Sequence, residues 1–420
     1  MLTVLRRRNY GLLWVAQLIS MIGDWAMFAA LPFFIYDVTR SVMATGAMFM
    51  IQVVPSLVFG SIAGVFVDRW DRRWTMIGSS LFRGAVLVML LGVRSADMIW
   101  LVYLAGFLES TASQFFGPAN NALLPTLVEK DQLLTANSLD SLGENGARLI
   151  GPALGGVLLA SIGLQGVIFF DIGSYVLAAL LMYFIRVPQG AAASAPAEDG
   201  SAASALSAFW DEFVAGLKMV MGKPALSRIF LVLGIAALGD SILTVLLVPF
   251  FQDVVGVGSA EFGLVLTVRG VAGILGGIAI GAIGSKFKPN HLIPFGLLGT
   301  GVALVAMVFW PVFAISMLIM ILLSVPLMAW LISSQTWMQS HAPREYLGRV
   351  FGVYGTLSAL LMLIGMTFAS GLGDTLGIST TLYFGGGIYI LSGLLALVLL
   401  PGISPAVESA EESQLSRKRT

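Results

Sequence analysis

Runs of some twenty predominantly apolar residues recur along nearly the whole chain, and few folds can accommodate that pattern. A helix needs about 20 such residues to cross the hydrocarbon of a bilayer. Twelve runs of that kind can be read: 11–36, 42–66, 74–93, 98–118, 140–161, 164–185, 226–250, 261–284, 291–309, 312–333, 347–371 and 378–400. In lipid every backbone polar group must be satisfied internally, and the alternating ~10-residue pattern of a barrel is absent, so the runs predict an all-α membrane protein. Composition agrees. Only 11% of residues are charged, against roughly 25% in soluble domains, and the mean hydropathy is +0.91. A soluble globule, a disordered chain and a nucleic-acid module are excluded together. There is no cysteine, and His291 and His341 are the two histidines, so neither a metal centre nor a cofactor is expected.

Basic residues orient the runs. With the N-terminus in the cytoplasm, eighteen of the 23 Lys and Arg fall inside, from Arg6, Arg7 and Arg8 to Arg417, Lys418 and Arg419. Arg40 and Arg94 fall outside, while Arg83, Arg148 and Arg269 lie within spans. A wrong span count would scramble this asymmetry, so both termini are expected to be cytoplasmic. The first run is too long for a signal peptide and lacks a small-residue cleavage site, so it reads as a retained span.

A small-residue linker, QGAAASAPAEDGSAAS, divides six runs from six and leads into an amphipathic stretch in which Phe209, Phe213, Val214 and Leu217 oppose Asp211, Glu212 and Lys218. The expected organisation is a bundle over 1–186, a cytoplasmic linker over 187–223, a second bundle over 224–401 and a tail over 402–420. The halves also repeat. GDWAMFAALPFF in the first run (Gly23, Asp24, Pro32) matches GDSILTVLLVPFF in the seventh (Gly239, Asp240, Pro249), at offsets of 216 and 217. Gly60, Gly64 and Asp68 match Gly277, Gly281 and Ser285, again at 217. A duplicated six-plus-six bundle is the build of a secondary transporter.

The loop after the second run, Gly64-Val-Phe-Val-Asp68-Arg69-Trp-Asp71-Arg72-Arg73, resembles the G-x-x-x-D-R-x-G-R-R/K signature of the major facilitator superfamily, with Asp71 where glycine is usual. Gly151-Pro152-Ala-Leu-Gly155-Gly156 is similar to the G-P-x-x-G-G signature of its exporter branches, with Ala147 at an earlier glycine position. LLPTLVEKDQLLTANSL and HAPREYLGRVFGV resemble the macrolide-efflux and enterobactin-exporter branch. The fourth-run arginine motif of many drug/proton antiporters is missing; Glu109 stands there instead. The resemblance implies a central cavity lined by the first and fourth spans of each half. It also implies a cytoplasmic latch made by Gly64, Asp68, Arg69, Arg72 and Arg73, in which Asp68 meets the start of the eleventh span.

Ionisable groups in hydrocarbon are costly unless they face a cavity or a partner. Asp24, its repeat-mate Asp240, and Glu109 are therefore candidates for proton or substrate binding, together with Gln17, Trp25, Arg83 and Arg269. Each also has a structural reading. Gly23-Asp24 can bend a helix and cap a freed N–H, Glu109 can pair with Arg83, and Gln17 can join helices. Asp171 and Arg269 stand isolated, and Glu144 with Arg148 reads as a self-neutralising pair one turn apart. Gly151, Pro152, Gly155 and Gly156 read as a hinge or a tight interface.

No G-x-x-x-x-G-K-[ST] loop is present, which removes ATP as a direct energy source, and no nucleophile–base pair suggests an enzyme. The expected function is proton-coupled export of small amphipathic molecules from a bacterial cytoplasm by a monomer in the cytoplasmic membrane; the lone carboxylates also allow sodium as the coupling ion. An importer of sugars or lipid-like solutes, or a non-transporting receptor or scaffold, is the alternative.

Overall fold

A computed structural model describes residues 2–186, 202–283, 287 and 289–400; Asp68 is described by its backbone alone. All regular structure among these residues is helical. The long helices are α1 Arg8–Thr39, α2 Val42–Arg69, α3 Arg72–Val88, α4 Ile99–Leu127, α5 Leu133–Tyr183, α6 Ala202–Gly222, α7 Pro224–Pro249, α8 Ser259–Ile283, α9 Pro289–Phe309, α10 Phe313–His341, α11 Leu347–Leu376 and α12 Ile378–Leu399. The sequence 187–201, Ser285 and the tail 402–420, on which the linker, part of the repeat and the tail assignments fall, lie outside the described residues.

Among the described residues, ten helical segments are long and apolar enough to cross a membrane. One, Lys130–Tyr183, has 54 residues, about twice what a bilayer needs. It breaks at Gly163, whose φ of 74° and ψ of −175° only glycine adopts without strain. The break falls between the fifth and sixth predicted runs. The 29-residue α4 is not among the ten; Glu109, Ser110, Thr111, Ser113 and Gln114 interrupt its apolar character. Large apolar side chains also face outward, Phe169, Leu275, Ile278 and Phe368 each at 60% exposure or more. A soluble protein would bury such a surface, whereas lipid accepts it.

The described chain forms two compact units. In the first, α1 packs along α5, α2 along α4, and α3 against both α4 and α5. This unit also takes in Leu247–Gly270, the end of α7 and the start of α8. A π-helical turn, Phe250–Val255, follows Pro249. From it Gln252 Nε2 donates to Phe33 O at 2.8 Å, and Asp253 accepts from Tyr36 Oη at 2.5 Å and from Arg40 Nη1 at 2.9 Å. Phe262 lies 5.7 Å from Phe33, and Gly263 meets Gly156 backbone to backbone.

In the second unit α9 packs with α10 and α12. Ser392 Oγ donates to Val232 O at 2.8 Å, and Asn290 joins Trp337 to Leu400 O. The amphipathic α6 places Gly216 against Arg349 and Val353 of α11 and leaves Asp211, Glu212 and Lys218 exposed.

Candidate functional site

Four helical segments of the first unit bring ionisable groups to one point. Asp24 comes from the middle of α1, Arg83 from α3, Glu109 from α4, and Asp171 with Tyr175 from the limb of α5 beyond Gly163. Arg83 Nη2 donates to Asp24 Oδ1 at 2.8 Å and to Glu109 Oε1 at 3.1 Å, and its guanidinium lies over the Tyr175 ring at 4.4 Å. The Tyr175 hydroxyl lies within hydrogen-bonding distance of Asp24 Oδ1 and 2.8 Å from Glu109 Oε1. Asp171, Ser174 and Tyr175 share a helical face because they are three and four residues apart. Carboxylate oxygens of Asp24, Glu109 and Asp171 all lie within 4.8 Å of one another.

Three acids so close would carry two uncompensated negative charges if all were ionised, since Arg83 supplies one cation. The site is not water-filled bulk: the Arg83 side chain is 10% exposed and that of Glu109 19%. Charges in such a place need pairing, hydrogen bonds or protons.

Asp24, Arg83 and Glu109 form one wall of a cavity of about 360 Å³. Trp25, Phe28, Leu31 and Met48 supply an apolar side, and Gln52, Ser110 and Ser113 add hydrogen-bonding groups. Trp25 packs edge-on to Phe28 at 5.2 Å, and Arg148 sits 4.9 Å over the Trp25 ring while pairing with Glu144 at 3.1 Å. An apolar pocket with a charged end suits an amphipathic molecule.

Asp24, Glu109, Arg83 and Trp25, all candidates from sequence, therefore meet. Gly23 sits under Asp24 for a reason other than bending: a Cβ there would overlap Asp171 Oδ1 and Ser174 Oγ. Gln17 is buried and donates to Asn120 Oδ1, so it joins α1 to α4. Arg269 is not part of the cluster or the cavity wall. In the second unit Asp240 accepts from Tyr389 Oη at 3.1 Å. Asp171 and Tyr175 carry no motif that sequence reasoning had assigned. One signal existed: Asp24 and Tyr175 are 151 residues apart, and Asp240 and Tyr389 are 149, so the internal repeat extends to an Asp–Tyr pair.

The loop between α2 and α3 is held by its own charges. Asp71, standing where the superfamily has glycine, accepts from the Trp74 N–H at 2.9 Å and so caps α3. Arg72 donates to Ala122 O in α4 at 3.1 Å, and Arg73 donates to Tyr183 O at the end of α5 at 2.5 Å, where a cation suits the helix dipole. Arg69 is exposed. The missing Cβ of Gly64 meets nothing within 4 Å, so no described neighbour packs closely on α2 at that position. Gly151 and Gly155 do: both lie against the α1 backbone from Ile22 to Ala26, one turn from Asp24, and Gly156 lies against Gly263. Pro152, also buried, has its carbonyl against Gly263.

A family model of the Major Facilitator Superfamily matches residues 13–366 and 229–419. The chain belongs to that superfamily of membrane transporters. Macrolide efflux protein A of Streptococcus pyogenes is 25% identical over 92% of this chain and 93% of that protein. Enterobactin exporter EntS of Shigella boydii is 23% identical over 92% and 90%. The fold is similar to that of a bacterial homologue of the iron transporter ferroportin, with a TM-score of 0.74, 17% identity, and coverage of 94% of this chain and 99% of that one.

Proposed function

We propose that this transporter exports small amphipathic molecules, among them cations, from a bacterial cytoplasm in exchange for protons. The observation that carries the reading is a cluster of three acids and one arginine, of which Asp24, Glu109 and Arg83 line an apolar cavity. A carboxylate pair that trades Arg83 for a proton or for a cationic substrate gives each ligand a different affinity for the two orientations of the carrier, which is what coupling requires. Export rather than import is favoured by relatives whose names are those of efflux proteins. Protons rather than sodium are favoured because Arg83 already occupies Asp24 Oδ1 and Glu109 Oε1; a metal ion on those oxygens would sit beside a guanidinium.

The accompanying topology is twelve spans with both termini cytoplasmic: the ten segments, with the one broken at Gly163 counted twice, and α4. The protein works as a monomer in the cytoplasmic membrane, by alternating access of the halves 1–186 and 224–401.

Accumulation of ethidium in cells tests this directly. Cells expressing the protein should accumulate less dye than cells with an empty vector. A protonophore and Asp24→Asn should each abolish the difference. Full efflux by Asp24→Asn under a protonophore would remove both the carrier and the coupling.

A further inference from the structure

Asp171 is the most deeply enclosed acid of the cluster, with no exposed surface. Its hydrogen bonding is too poor for a carboxylate. Oδ2 has no hydrogen-bond partner. Oδ1 lies 3.0 Å from Ser174 Oγ, but that hydroxyl also lies 2.8 Å from the Asp171 carbonyl oxygen, the back-bond a helical serine commonly makes. Serine has one hydrogen. If it goes to the carbonyl, the contact between Oδ1 and Oγ holds no hydrogen unless the carboxyl supplies it. The groups facing Asp171 reinforce this: Asp24 from α1 and Glu109 from α4 are anions, and Arg83 from α3, the cation at this point, points its Nη2 at those two. Tyr175, the neighbour on its own helix, is occupied by them as well. Gly23 completes the enclosure, because any side chain there would fill the space of Asp171 Oδ1.

We propose that Asp171 holds the coupled proton as a neutral carboxylic acid, its O–H donating to Ser174, and that Arg83 gates its release. In this conformation Arg83 is engaged by the two outer carboxylates. When the proton leaves Asp171 for Asp24, the O–H bond on Asp171 breaks and one forms on Asp24. The total charge of the cluster is unchanged, but the anion has moved inward. Arg83 then turns from neutral Asp24 to ionised Asp171, and Asp24, freed and protonated, passes the proton to the cavity. The inference rests on the proton-coupled reading above, although the position of the proton is testable without transport.

Infrared difference spectroscopy on purified, lipid-reconstituted protein reads protonated carboxyl groups by their carbonyl-stretch band. Wild type is expected to show such a band, Asp171→Asn to lose it, and Ser174→Ala to shift it by removing the hydrogen-bond partner. Absence of the band in wild type, or its persistence in Asp171→Asn, would overturn the assignment. Should Asp171→Asn not fold, Ser174→Ala decides alone: a shifted band supports the proposal and an unmoved band sinks it. In proteoliposomes, Asp171→Asn is expected to lose uphill transport driven by a pH gradient. Retention of that transport in a folded protein would refute the coupling role. A wild type that transports without any response to a pH gradient would defeat the export mechanism while leaving the infrared assignment standing.

Discussion

At the scale of single residues, Arg83 bears most of the electrostatic burden of the site. Deleting one partner of a buried ion pair leaves the other charged and unpaired, at a cost of roughly 3–5 kcal/mol. Arg83→Ala should therefore lower the thermal unfolding midpoint sharply, and adding Glu109→Gln to it should recover part of the loss by removing one of the stranded charges. Arg83→Lys keeps the charge but loses the planar guanidinium that lies over the Tyr175 ring, so it should restore the midpoint only in part. Glycines at two positions separate packing from permissiveness. Gly23→Ala forces a methyl onto Asp171 and Ser174, and overpacking of that kind costs about 1–3 kcal/mol. Gly64→Ala meets open space and gains up to about 1 kcal/mol of helix propensity. Thermal unfolding of the two variants should move in opposite directions.

Among the elements, the π-helical turn Phe250–Val255 is the one whose contacts point to movement. It holds α1 through Tyr36, Arg40 and the Phe33 carbonyl, and the ion pair is more than a third exposed on both sides, so it adds little to stability. Under the proposed alternating access, polar contacts that are cheap to break suit a segment that must separate and return, while Phe250 and Phe251 of the same turn are fully buried. Because the chain has no cysteine, accessibility can be read from one introduced thiol. Phe33→Cys, buried beside Phe262, should react slowly with a maleimide; adding Asp253→Ala should raise the rate several-fold with little change in unfolding temperature. An unchanged rate would mean that these contacts do not restrain the segment. By contrast, the glycine-lined seam of α5 on α1 is a fixed interface: Gly151 and Gly155 put backbone against backbone beside Asp24, and their replacement by leucine should prevent folding altogether.

For the whole molecule the test is topology. Cysteines at Ser41 and Ser95 should react with an impermeant reagent on intact cells, and those at Asp131 and Glu345 should react after permeabilisation; one position on the wrong side would refute twelve spans with cytoplasmic termini. The duplication also shows where the two halves have diverged. The Asp–Tyr pair persists in both, but the positions that match Arg83 and Glu109 hold Gly299-Thr300 and Val325-Pro326, so the acid–arginine cluster belongs to the first half. Helical class, superfamily and a separation between the runs 140–161 and 164–185 were legible in the sequence because they follow from local quantities: the length of an apolar run, the gap between two such runs, a motif of ten residues. Asp24, Arg83 and Glu109 were legible as candidates for a similar reason, each being a charge in a run that should hold none. Their meeting was not legible, nor was the part played by Asp171 and Tyr175. Asp171 looked isolated in its run because its neighbours lie on three other helical segments, and tyrosine is too common a residue to attract notice. By itself the sequence determined the solvent in which this chain folds and the superfamily to which it belongs. Only the tertiary structure decided which charges share a site, because a buried charge is defined by partners 26 to 151 residues away, and helix packing rather than spacing brings them within reach.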